Sequence, residues 1–453
     1  MNIVILAAGF GKRMHSSLPK VLQPVAGKPM IRHVLERVRE LEGANRVIMV
    51  VGHGMDAIRA ELSDEPEIVY ALQKEQLGTG DALKSALPYL LDDDKTLVLL
   101  GDVPLITAKT LSRLVKNTVK NEAGLLTVEL ENPTGYGRII REDGAVSRIV
   151  EERDADSAQK AVREVNTGIM LLPTKPLASW LGALTNHNSQ GEYYLTDIIP
   201  MAPRDGYAVK ATLAGSALEV QGANNKAQLA KLERGFQAQI AGKLLEEGVT
   251  LADPQRIDVR GKLICASDVF IDVGCVFEGK VRLGKNVRVG PYACIKDAEI
   301  EDGTQILPFT HIDGAAIGSE CRIGPFSRIR PGTSLKGGNH IGDFVELKKS
   351  EIGLNSKINH LSYIGDTDMG SGVNIGAGTI TCNYDGVNKF RTAIGDKAFI
   401  GSGTQLVAPV SVGQGATIGA GSTITKDAPE DRLTLARSRQ VTIEHWTRPT
   451  KKK

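Results

Sequence analysis

Aromatic residues and long apolar runs are both scarce in this sequence. Phe, Trp and Tyr make up 4% of its 453 residues. No stretch of about 18 uninterrupted apolar residues occurs, so we expect no transmembrane helix. The apolar start, residues 1–9, is too short for a signal core and lacks a preceding basic region, so we expect no secretory signal.

Charge excess and cysteine pairs are missing as well. The 55 Lys and Arg residues nearly balance the 53 Asp and Glu residues, for a formal charge of +2. This balance gives no general field for nucleic acid or an anionic membrane, so we expect neither as a partner, and we assign the basic end at 451–453 no function. The odd number of cysteines and the lack of any C-x-x-C pair argue against disulfides and zinc, and favour the reducing cytoplasm. The cysteines are Cys265, Cys275, Cys294, Cys321 and Cys382.

The length and the changing periodicity predict two domains. Aliphatic runs at 3–6, 46–51, 96–100 and 124–128 alternate with helix-like segments such as 29–41. This is the rhythm of βαβ units around a mostly parallel sheet. Apolar residues then recur every three or four positions over 225–247, which predicts one long linking helix.

A six-residue repeat follows the linking helix. From about Val269 an aliphatic residue returns about every six positions, often followed by Gly or Asp, with one long insertion at 381–393. Three hexads predict one triangular coil whose aliphatic residue points inward, and stacked coils share one core. The predicted inward positions are Ile271, Phe277, Leu283, Val289, Ile295, Ile300, Ile306, Ile312, Ile317, Ile323, Ile329, Leu335, Ile341, Leu347, Ile352, Ile358, Ile364, Met369, Ile375, Ile394, Ile400, Leu406, Val412, Ile418 and Ile424.

The first chemical motif is a glycine-containing loop after the first predicted strand. Gly9 and Gly11 let backbone amides approach a phosphate chain, and Arg13 and Lys20 can neutralise charge on departing pyrophosphate. The loop has the spacing of neither the dinucleotide fingerprint nor the P-loop, so NAD binding and ATP hydrolysis are disfavoured.

Two further motifs lie at turns of the first half. Gln73 and the turn 76–80 offer an amide that can read the edge of a base. Asp102 ends a strand, where a carboxylate is well placed to hold Mg²⁺, although such a residue alone is more often a turn or capping residue.

The repeat register places His360 two positions after the inward Ile358, outside the core and near a corner. An imidazole there can accept a proton from an amine, although a lone surface histidine is more often only solvated. Arg330 and Lys348 each follow an inward residue and add positive charge, which suits an anionic sugar phosphate. Ala377, Ser402 and Ala420 also lie two positions after inward residues, so we expect them to stack along one edge.

Together these motifs resemble a known family. The Gly-x-Gly-x-Arg-Met loop with Pro19-Lys20, the Gln-Leu-Gly-Thr turn at 76–79 and Gly101-Asp102 resemble the sugar-1-phosphate nucleotidyltransferases. With the hexads, the whole chain resembles the bacterial bifunctional N-acetylglucosamine-1-phosphate uridyltransferase/glucosamine-1-phosphate acetyltransferases. Lys12 and Leu100 depart from the family's usual Thr and Tyr, which affects details of nucleotide affinity only.

For the first domain the resemblance implies Mg²⁺-dependent transfer of uridylyl from UTP to N-acetylglucosamine-1-phosphate. Asp102 and Asn224 are the implied metal ligands, and Lys20 and Arg13 the implied catalytic cations. The implied residues for UTP and the sugar nucleotide are Leu6, Ala7, Ala8, Gly9, Lys20, Gln73, Gly78, Thr79, Leu100, Gly101, Asp102, Gly137, Glu151, Asn166 and Asn224.

For the repeat domain the resemblance implies acetyl transfer from acetyl-CoA to glucosamine-1-phosphate, with His360 as the proton acceptor. The product of both reactions, UDP-N-acetylglucosamine, would feed peptidoglycan and lipopolysaccharide synthesis. The implied sugar-phosphate residues are Arg330, Lys348, Tyr363 and Asn374. The implied acetyl-CoA residues are Ala377, Asn383, Tyr384, Ser402, Ala420 and Arg437.

The predicted fold is thus an α/β N-terminal domain, Rossmann-like with a mostly parallel sheet, plus an all-β left-handed parallel β-helix of hexapeptide repeats, joined by a long helix. We expect domains at 1–224 and 248–437, the linker helix at 225–247 and a tail at 438–453. The resemblance also implies a homotrimer formed through the β-helix.

Three alternatives remain open. A related nucleotidyltransferase with another sugar or base and a merely structural β-helix would leave the His360 group without purpose. A purely structural protein would not need Lys20, Asp102 and Asn224 together. A zinc hydratase needs three converging histidines, and His311, His340 and His360 are separated by 29 and 20 residues in a coil of about 18.

Overall fold

The computed structural model describes residues 1–92 and 95–451, so the last two residues of the basic end lie outside the described residues. The chain divides into two compact units, Met1–Phe236 and Gln237–Lys453. None of the helices in the described residues is long and apolar enough to cross a membrane. All five cysteines are free thiols. The predicted domain limits at 224 and 247 stay predictions.

The first unit is a twisted α/β sheet with helices around it. The strands are β1 Asn2–Leu6, β2 Pro24–Val25, β3 Lys28–Pro29, β4 Arg46–Val51, β5 Val69–Leu72, β6 Lys95–Leu100, β7 Glu122–Glu129, β8 Arg138–Glu142, β9 Ala145–Val150, β10 Glu164–Pro173 and β11 Ala208–Leu213. The helices are α1 Met30–Arg39, α2 Met55–Glu61, α3 Thr79–Ala86, α4 Ala108–Asn117, α5 Ser157–Lys160, α6 Leu177–Gly182, α7 Met201–Arg204 and α8 Lys226–Glu246, the last of which crosses the boundary between the units.

The sheet order is β11-β7-β10-β6-β1-β4-β5. The pairs β1–β4, β1–β6, β4–β5 and β11–β7 are parallel, whereas β10 runs antiparallel to both of its neighbours β6 and β7. The central strands are nearly all Val, Ile and Leu because helices cover both faces of the sheet. Leu6 pairs with Leu100, so the loops after β1 and β6 leave the sheet side by side.

The second unit is a stack of short parallel strands. Its strands are β12 Thr250–Leu251, β13 Ile257–Cys265, β14 Phe270–Ile271, β15 Cys275–Leu283, β16 Arg288–Val289, β17 Cys294–Lys296, β18 Glu299–Ile300, β19 Gln305–Ile306, β20 His311–Asp313, β21 Ala316–Ile317, β22 Arg322–Ile323, β23 Arg328–Ile329, β24 Ser334–Leu335, β25 His340–Asp343, β26 Glu346–Lys348, β27 Glu351–Ile352, β28 Lys357–His360, β29 Tyr363–Gly365, β30 Thr367–Met369, β31 Asn374–Ile375, β32 Ile380–Cys382, β33 Thr392–Ile394, β34 Phe399–Ile400, β35 Gln405–Val407, β36 Val410–Val412, β37 Thr417–Ile418, β38 Thr423–Ile424 and β39 Leu433–Thr434.

Each strand pairs with the strand one coil later, at a spacing of 17 or 18 residues over most of the stack. Arg322 pairs with His340, and His340 pairs with Lys357. Every predicted inward residue from Ile271 to Ile424 is buried, with at most 5% of its surface exposed. The aliphatic hexad therefore forms one continuous core along a parallel β-helix. This confirms the predicted fold class of both domains.

Two details refine the predicted repeat. The stack begins before the register that is visible from Val269, because β12 already pairs with β14 and Leu251 joins the core. The insertion begins later than 381, because Thr381 is buried at 1% exposure and takes an inward position opposite Leu406. A hydroxyl is tolerated there because Thr381 Oγ1 accepts from the Gly365 amide at 2.8 Å.

Candidate functional site

The loop after β1 is shaped to leave room beside its backbone. Gly11 has φ +60°, and a Cβ on it would lie 2.9 Å from Lys20 Cβ, so glycine is required at this close approach. A Cβ on Gly9 would meet nothing within 4 Å. The loop therefore brings Lys20 against its own backbone and leaves open space next to Gly9.

Lys20, Asp102 and Asn224 meet in one cluster, although the chain separates them widely. Lys20 Nζ donates to Asp102 Oδ2 at 2.5 Å and to Asn224 Oδ1 at 3.0 Å. The Lys20 and Asp102 side chains are only 16% and 14% exposed. Two oxygens from distant parts of the chain thus already hold one cation, the ammonium, between them. This oxygen pair fits a hard divalent ion such as Mg²⁺.

A cavity of about 390 Å³ opens beside this cluster. It is lined by nine of the predicted residues, Leu6, Arg13, Thr79, Leu100, Asp102, Gly137, Glu151, Asn166 and Asn224. Ala7, Gly78 and Gly101 are next to lining residues in the chain, and Lys20 contacts Asp102 and Asn224. The other predicted residues, Ala8, Gly9 and Gln73, are not part of the lining. The structure therefore gathers most of the predicted nucleotide and sugar residues around one opening.

Two glutamines behave differently in the turn before α3. Gln73 is 3% exposed, and its Nε2 donates to Asp81 Oδ2 at 2.8 Å and to the Gly78 carbonyl at 3.2 Å, so it fixes the turn. Gln76 Nε2 donates to the Ala8 carbonyl at 3.0 Å. Gln76 Oε1 is buried and has no hydrogen-bond partner within the described chain. A buried acceptor without a partner calls for a donor, and Gln76 belongs to the turn 76–80 whose amide was predicted to read the edge of a base.

The cavity lining also includes polar residues that can hydrogen-bond to the hydroxyl groups of a sugar. Glu151 Oε1 accepts from Thr196 Oγ1 at 3.2 Å, and burial raises the pKa of this carboxyl. The backbone N–H of Asn166 donates to the Gly137 carbonyl at 2.8 Å, and this bond connects β10 to the residue before β8. Thr196 was missed by sequence reasoning because it carries no motif and reaches Glu151 across 45 residues.

In the β-helix, His360 forms a pair with Asp343 of the preceding coil. His360 Nδ1 lies 2.9 Å from Asp343 Oδ1, and the two side chains are 62% and 41% exposed. Because a carboxylate only accepts, Nδ1 carries the proton and Nε2 presents its lone pair outward. Asp343 was missed, although its spacing of one coil, 17 residues, could have identified it.

Lys348, one of the predicted sugar-phosphate residues, lies at the end of the short strand β29 that is farther from His360. Lys348 pairs with Gly365, and its Nζ lies 3.5 Å from Asp366 Oδ2. Asn383 Nδ2 donates to the same Asp366 oxygen at 2.5 Å and lies 3.4 Å from the Tyr363 hydroxyl. Asp366 is only 8% exposed and was also missed. Asp366 contacts both Lys348, a residue predicted to bind the sugar phosphate, and Asn383, a residue predicted to bind acetyl-CoA.

The remaining predicted residues occupy defined places around this region. Arg330 stands one coil from Lys348 and contacts Glu346 Oε1 at 2.8 Å. Asn374 lies in β31 opposite Lys357 and Phe399, outside the Asp366 cluster. Tyr384 is 59% exposed in the insertion, where its hydroxyl donates to the Gly386 carbonyl.

Ala377, Ser402, Ala420 and Arg437 lie along one edge of the β-helix, on the coils that follow His360. The Gly403 amide donates to the Ala377 carbonyl at 2.7 Å, and the Gly421 amide donates to the Ser402 carbonyl at 2.8 Å. Arg437 Nη1 donates to the Ala420 carbonyl at 2.7 Å. These bonds place Ala377, Ser402 and Ala420 on successive coils of one edge.

The histidines do not converge as a zinc site requires. His311 pairs with Arg328, His340 with Lys357 and His360 with Asp343. Within residues 1–92 and 95–451, no three His, Cys, Asp or Glu side chains are grouped so as to hold a metal. These placements count against the zinc hydratase alternative.

Known protein families match both halves of the chain. The MobA-like NTP transferase domain matches residues 3–167, and the bacterial transferase hexapeptide (six repeats) matches residues 297–331 and 391–426. A relative from Ralstonia pickettii, named Bifunctional protein GlmU, is 57% identical over 454 residues, covering 100% of this chain and 99% of that protein. A relative of the same name from Azoarcus sp. is 57% identical and is covered completely. One from Chromobacterium violaceum is 55% identical over 453 residues.

These relatives match along the full chain and at high identity. The two family models fall in the two compact units, one on the α/β sheet and one on the β-helix. The predicted family and the predicted bifunctional enzyme class are thereby confirmed. The chain belongs to the family of bifunctional GlmU enzymes, with a nucleotidyltransferase domain followed by a hexapeptide-repeat acyltransferase domain.

Proposed function

We propose that the chain converts glucosamine-1-phosphate to UDP-N-acetylglucosamine in two steps at two sites. Acetyl transfer takes place at His360, and Mg²⁺-dependent uridylyl transfer takes place at the cavity beside Asp102. Two observations on one chain carry the proposal. Asp102 and Asn224 hold the Lys20 ammonium between their oxygens, and His360 forms an exposed pair with Asp343. The free thiols and the solubility of the proposed substrates favour action in the cytoplasm.

In uridylyl transfer, a phosphate oxygen of N-acetylglucosamine-1-phosphate attacks the α-phosphorus of UTP. The new P–O bond forms as the bond to pyrophosphate breaks, so the chain needs no nucleophile of its own. Gln76 Oε1 accepts from the base, and Glu151 and Asn166 hold the sugar. Lys20 and Arg13 neutralise the charge on the phosphates and on the leaving pyrophosphate. Bound Mg²⁺ supplies further charge neutralisation at the phosphate oxygens, with Asp102 and Asn224 as its ligands.

In acetyl transfer, His360 Nε2 takes a proton from the amine of glucosamine-1-phosphate as the nitrogen bonds to the acetyl carbon. The C–S bond of acetyl-CoA breaks, and the proton passes to the leaving thiolate. Asp343 holds the imidazole in the required tautomer and stabilises the imidazolium. Arg330, Lys348, Tyr363 and Asn374 hold the sugar phosphate. Ala377, Asn383, Tyr384, Ser402, Ala420 and Arg437 receive acetyl-CoA.

A homotrimer through the β-helix is part of the proposal. His360 and Lys348 lie at opposite ends of the strand Tyr363–Gly365, so one chain presents the base and the phosphate cations apart from each other. A neighbouring chain can complete each site across that gap. The predicted domain limits, 1–224 and 248–437, are likewise proposed as the limits of the two activities.

The proposed function is tested by a mass-spectrometric product assay. Glucosamine-1-phosphate, acetyl-CoA, UTP and Mg²⁺ are supplied together, and then one component is omitted at a time. UDP-N-acetylglucosamine is expected only when all four are present. Uridylyl transfer to pre-acetylated sugar phosphate, with no acetylation of the amine, would instead support the alternative in which the β-helix is only structural.

Lys20→Met is expected to tighten metal binding in the absence of nucleotide. In the structure the Lys20 ammonium contacts both proposed metal ligands, so a divalent ion must displace it, and two like charges repel strongly at this distance. We expect the dissociation constant for Mn²⁺, measured by electron paramagnetic resonance, to fall by about tenfold. Catalysis falls in the same variant, because Lys20 no longer neutralises phosphate charge.

Arg13→Met is the matched control, because Arg13 lines the same cavity but does not contact the two ligands. Its Mn²⁺ affinity is expected to stay within about twofold of wild type. Equal Mn²⁺ affinities for wild type and Lys20→Met would contradict the shared cation position. An absence of Mn²⁺ binding by both proteins, even with UTP, would contradict the metal site itself.

Asp343→Asn is expected to slow acetyl transfer by about 10- to 100-fold, because the amide no longer fixes the tautomer that leaves Nε2 free. Asp297→Asn, at a corner several coils away, serves as control. A normal kcat for acetyl transfer by Asp343→Asn would exclude this positioning role.

A further inference from the structure

One edge of the β-helix carries two adjacent columns of residues that change character at His360. The first column runs Val273, Pro291, Pro308, Pro325, Asp343, His360, Ala377, Ser402 and Ala420. The second runs Gly274, Tyr292, Phe309, Phe326, Phe344, Leu361, Gly378, Gly403 and Gly421. Amides of the second column donate to carbonyls of the first column one coil earlier, as in Leu361 to Asp343 at 3.1 Å and Gly378 to His360 at 3.4 Å.

On the N-terminal side of His360 the edge is bulky. Tyr292, Phe309, Phe326 and Phe344 stack with ring centroids 5.0–5.5 Å apart and planes within 10° of parallel. Each ring is about half exposed, and each of the four residues has φ between +55° and +58°. Side chains at such angles cost about 1 kcal/mol or more relative to glycine. This corner therefore carries large side chains against the backbone preference.

On the C-terminal side of His360 the same corner is bare. Gly378, Gly403 and Gly421 have φ between +71° and +75°, and a Cβ on any of them would meet nothing closer than 3.7 Å. Leu361, at φ +46°, shows that the corner accepts a side chain in this part of the stack. Neither packing nor the corner itself therefore requires three successive glycines. The bare half is open surface directly beside the proposed acetyl-CoA residues.

We propose that Leu361, which lies one coil beyond Phe344 in the second column, limits the length of the acyl group that the enzyme transfers. This inference rests on the proposed acetyl transfer at His360. The arm of the donor lies along the bare glycine half, which brings its thioester to His360. An acyl chain that continues along the edge meets the Leu361 side chain, which is the first bulky group of the column. An acetyl group ends before that contact, whereas longer acyl groups do not.

Leu361→Ala is expected to relax the choice of donor. One methylene in an apolar contact is worth roughly 10- to 200-fold in specificity. We therefore expect the ratio of kcat/KM for propionyl-CoA to that for acetyl-CoA to rise at least about tenfold. Phe309→Ala truncates the same column three coils below and should leave the ratio unchanged. If Leu361→Ala fails to fold by circular dichroism, Leu361→Val is measured instead, with an expected rise of at least about threefold.

A second variant tests the bare half. Gly403→Leu places a side chain in the donor path and should raise KM for acetyl-CoA by about tenfold or more. Gly372→Leu is the matched control, because Gly372 has φ +66° and similar open space at another corner. An unchanged donor ratio in an active Leu361 variant, or equal KM values for the two glycine variants, would overturn the inference. Absence of acetyl transfer by the wild-type enzyme would instead refute the proposed function.

Discussion

Asp102→Ala is expected to lower the rate of uridylyl transfer by about 10³-fold and to leave acetyl transfer at the wild-type rate. The variant removes the only charged group of the oxygen pair that holds the Lys20 ammonium, and with it the proposed ligand of the divalent ion. Both the metal and Lys20 then lose their anchor beside the cavity. The measurement is kcat with UTP and N-acetylglucosamine-1-phosphate at saturating Mg²⁺, with acetyl transfer assayed on the same preparation.

Asp102→Asn is the informative control for this result. Asparagine keeps an oxygen in place but removes the charge. The oxygen pair would then consist of two neutral amide oxygens, one from position 102 and one from Asn224. We expect an intermediate loss that added Mg²⁺ partly restores, since the defect is then mainly one of metal affinity. Normal Mg²⁺-dependent uridylyl transfer by Asp102→Ala would show that the metal is held elsewhere.

His360→Ala is expected to produce the opposite pattern. Removing a general base costs about 10²- to 10⁴-fold in rate, and no other side chain is hydrogen-bonded to Asp343 Oδ1 in the described coils to replace it. Acetyl transfer should therefore fall by that factor, while uridylyl transfer to pre-acetylated sugar phosphate stays normal. His340→Ala is the matched control, because His340 is an exposed histidine one coil earlier that pairs with Lys357 instead. Normal acetyl transfer by His360→Ala would exclude the assigned base.

The sequence predicted the β-helix in detail because the repeat is local. An inward Ile, Val or Leu every six residues is visible without knowledge of any distant contact, and all the predicted inward residues are buried. The inward position of Thr381 was not predicted because threonine is not aliphatic. Its hydroxyl is tolerated in the core since it hydrogen-bonds to the backbone of the neighbouring coil. The predicted register began at Val269 and left out the first coil, in which β13 is a single strand of nine residues.

The sites were harder to predict because they depend on contacts between distant segments. Lys20 meets Asp102 across 82 residues and Asn224 across 204, and nothing in the local pattern of any of the three indicates this meeting. The resemblance supplied the residues, and the structure supplied their geometry. Asp343 is different, because its distance of one coil from His360 was already contained in the repeat register. Asp366 required the structure, since its importance lies in burial and in hydrogen bonding.

The edge of the β-helix shows how a repetitive fold can carry a specific site. Each coil repeats the same backbone corner, so the side chain at that corner is free to vary without changing the core. The chain uses this freedom to place aromatic rings below His360 and glycines above it. In our proposal, that single change of side-chain size separates the binding path of the acyl donor from the group that stops the acyl chain.

The most direct test of two reactions at two sites is complementation between variants. Asp102→Ala and His360→Ala are each incubated with glucosamine-1-phosphate, acetyl-CoA, UTP and Mg²⁺, first alone and then mixed, and UDP-N-acetylglucosamine is measured by mass spectrometry. We expect little product from either variant alone and restored synthesis in the mixture, because the acetylated intermediate diffuses from one protein to the other. Full synthesis by either variant alone, or a mixture that stays inactive, would contradict two reactions at two separate sites.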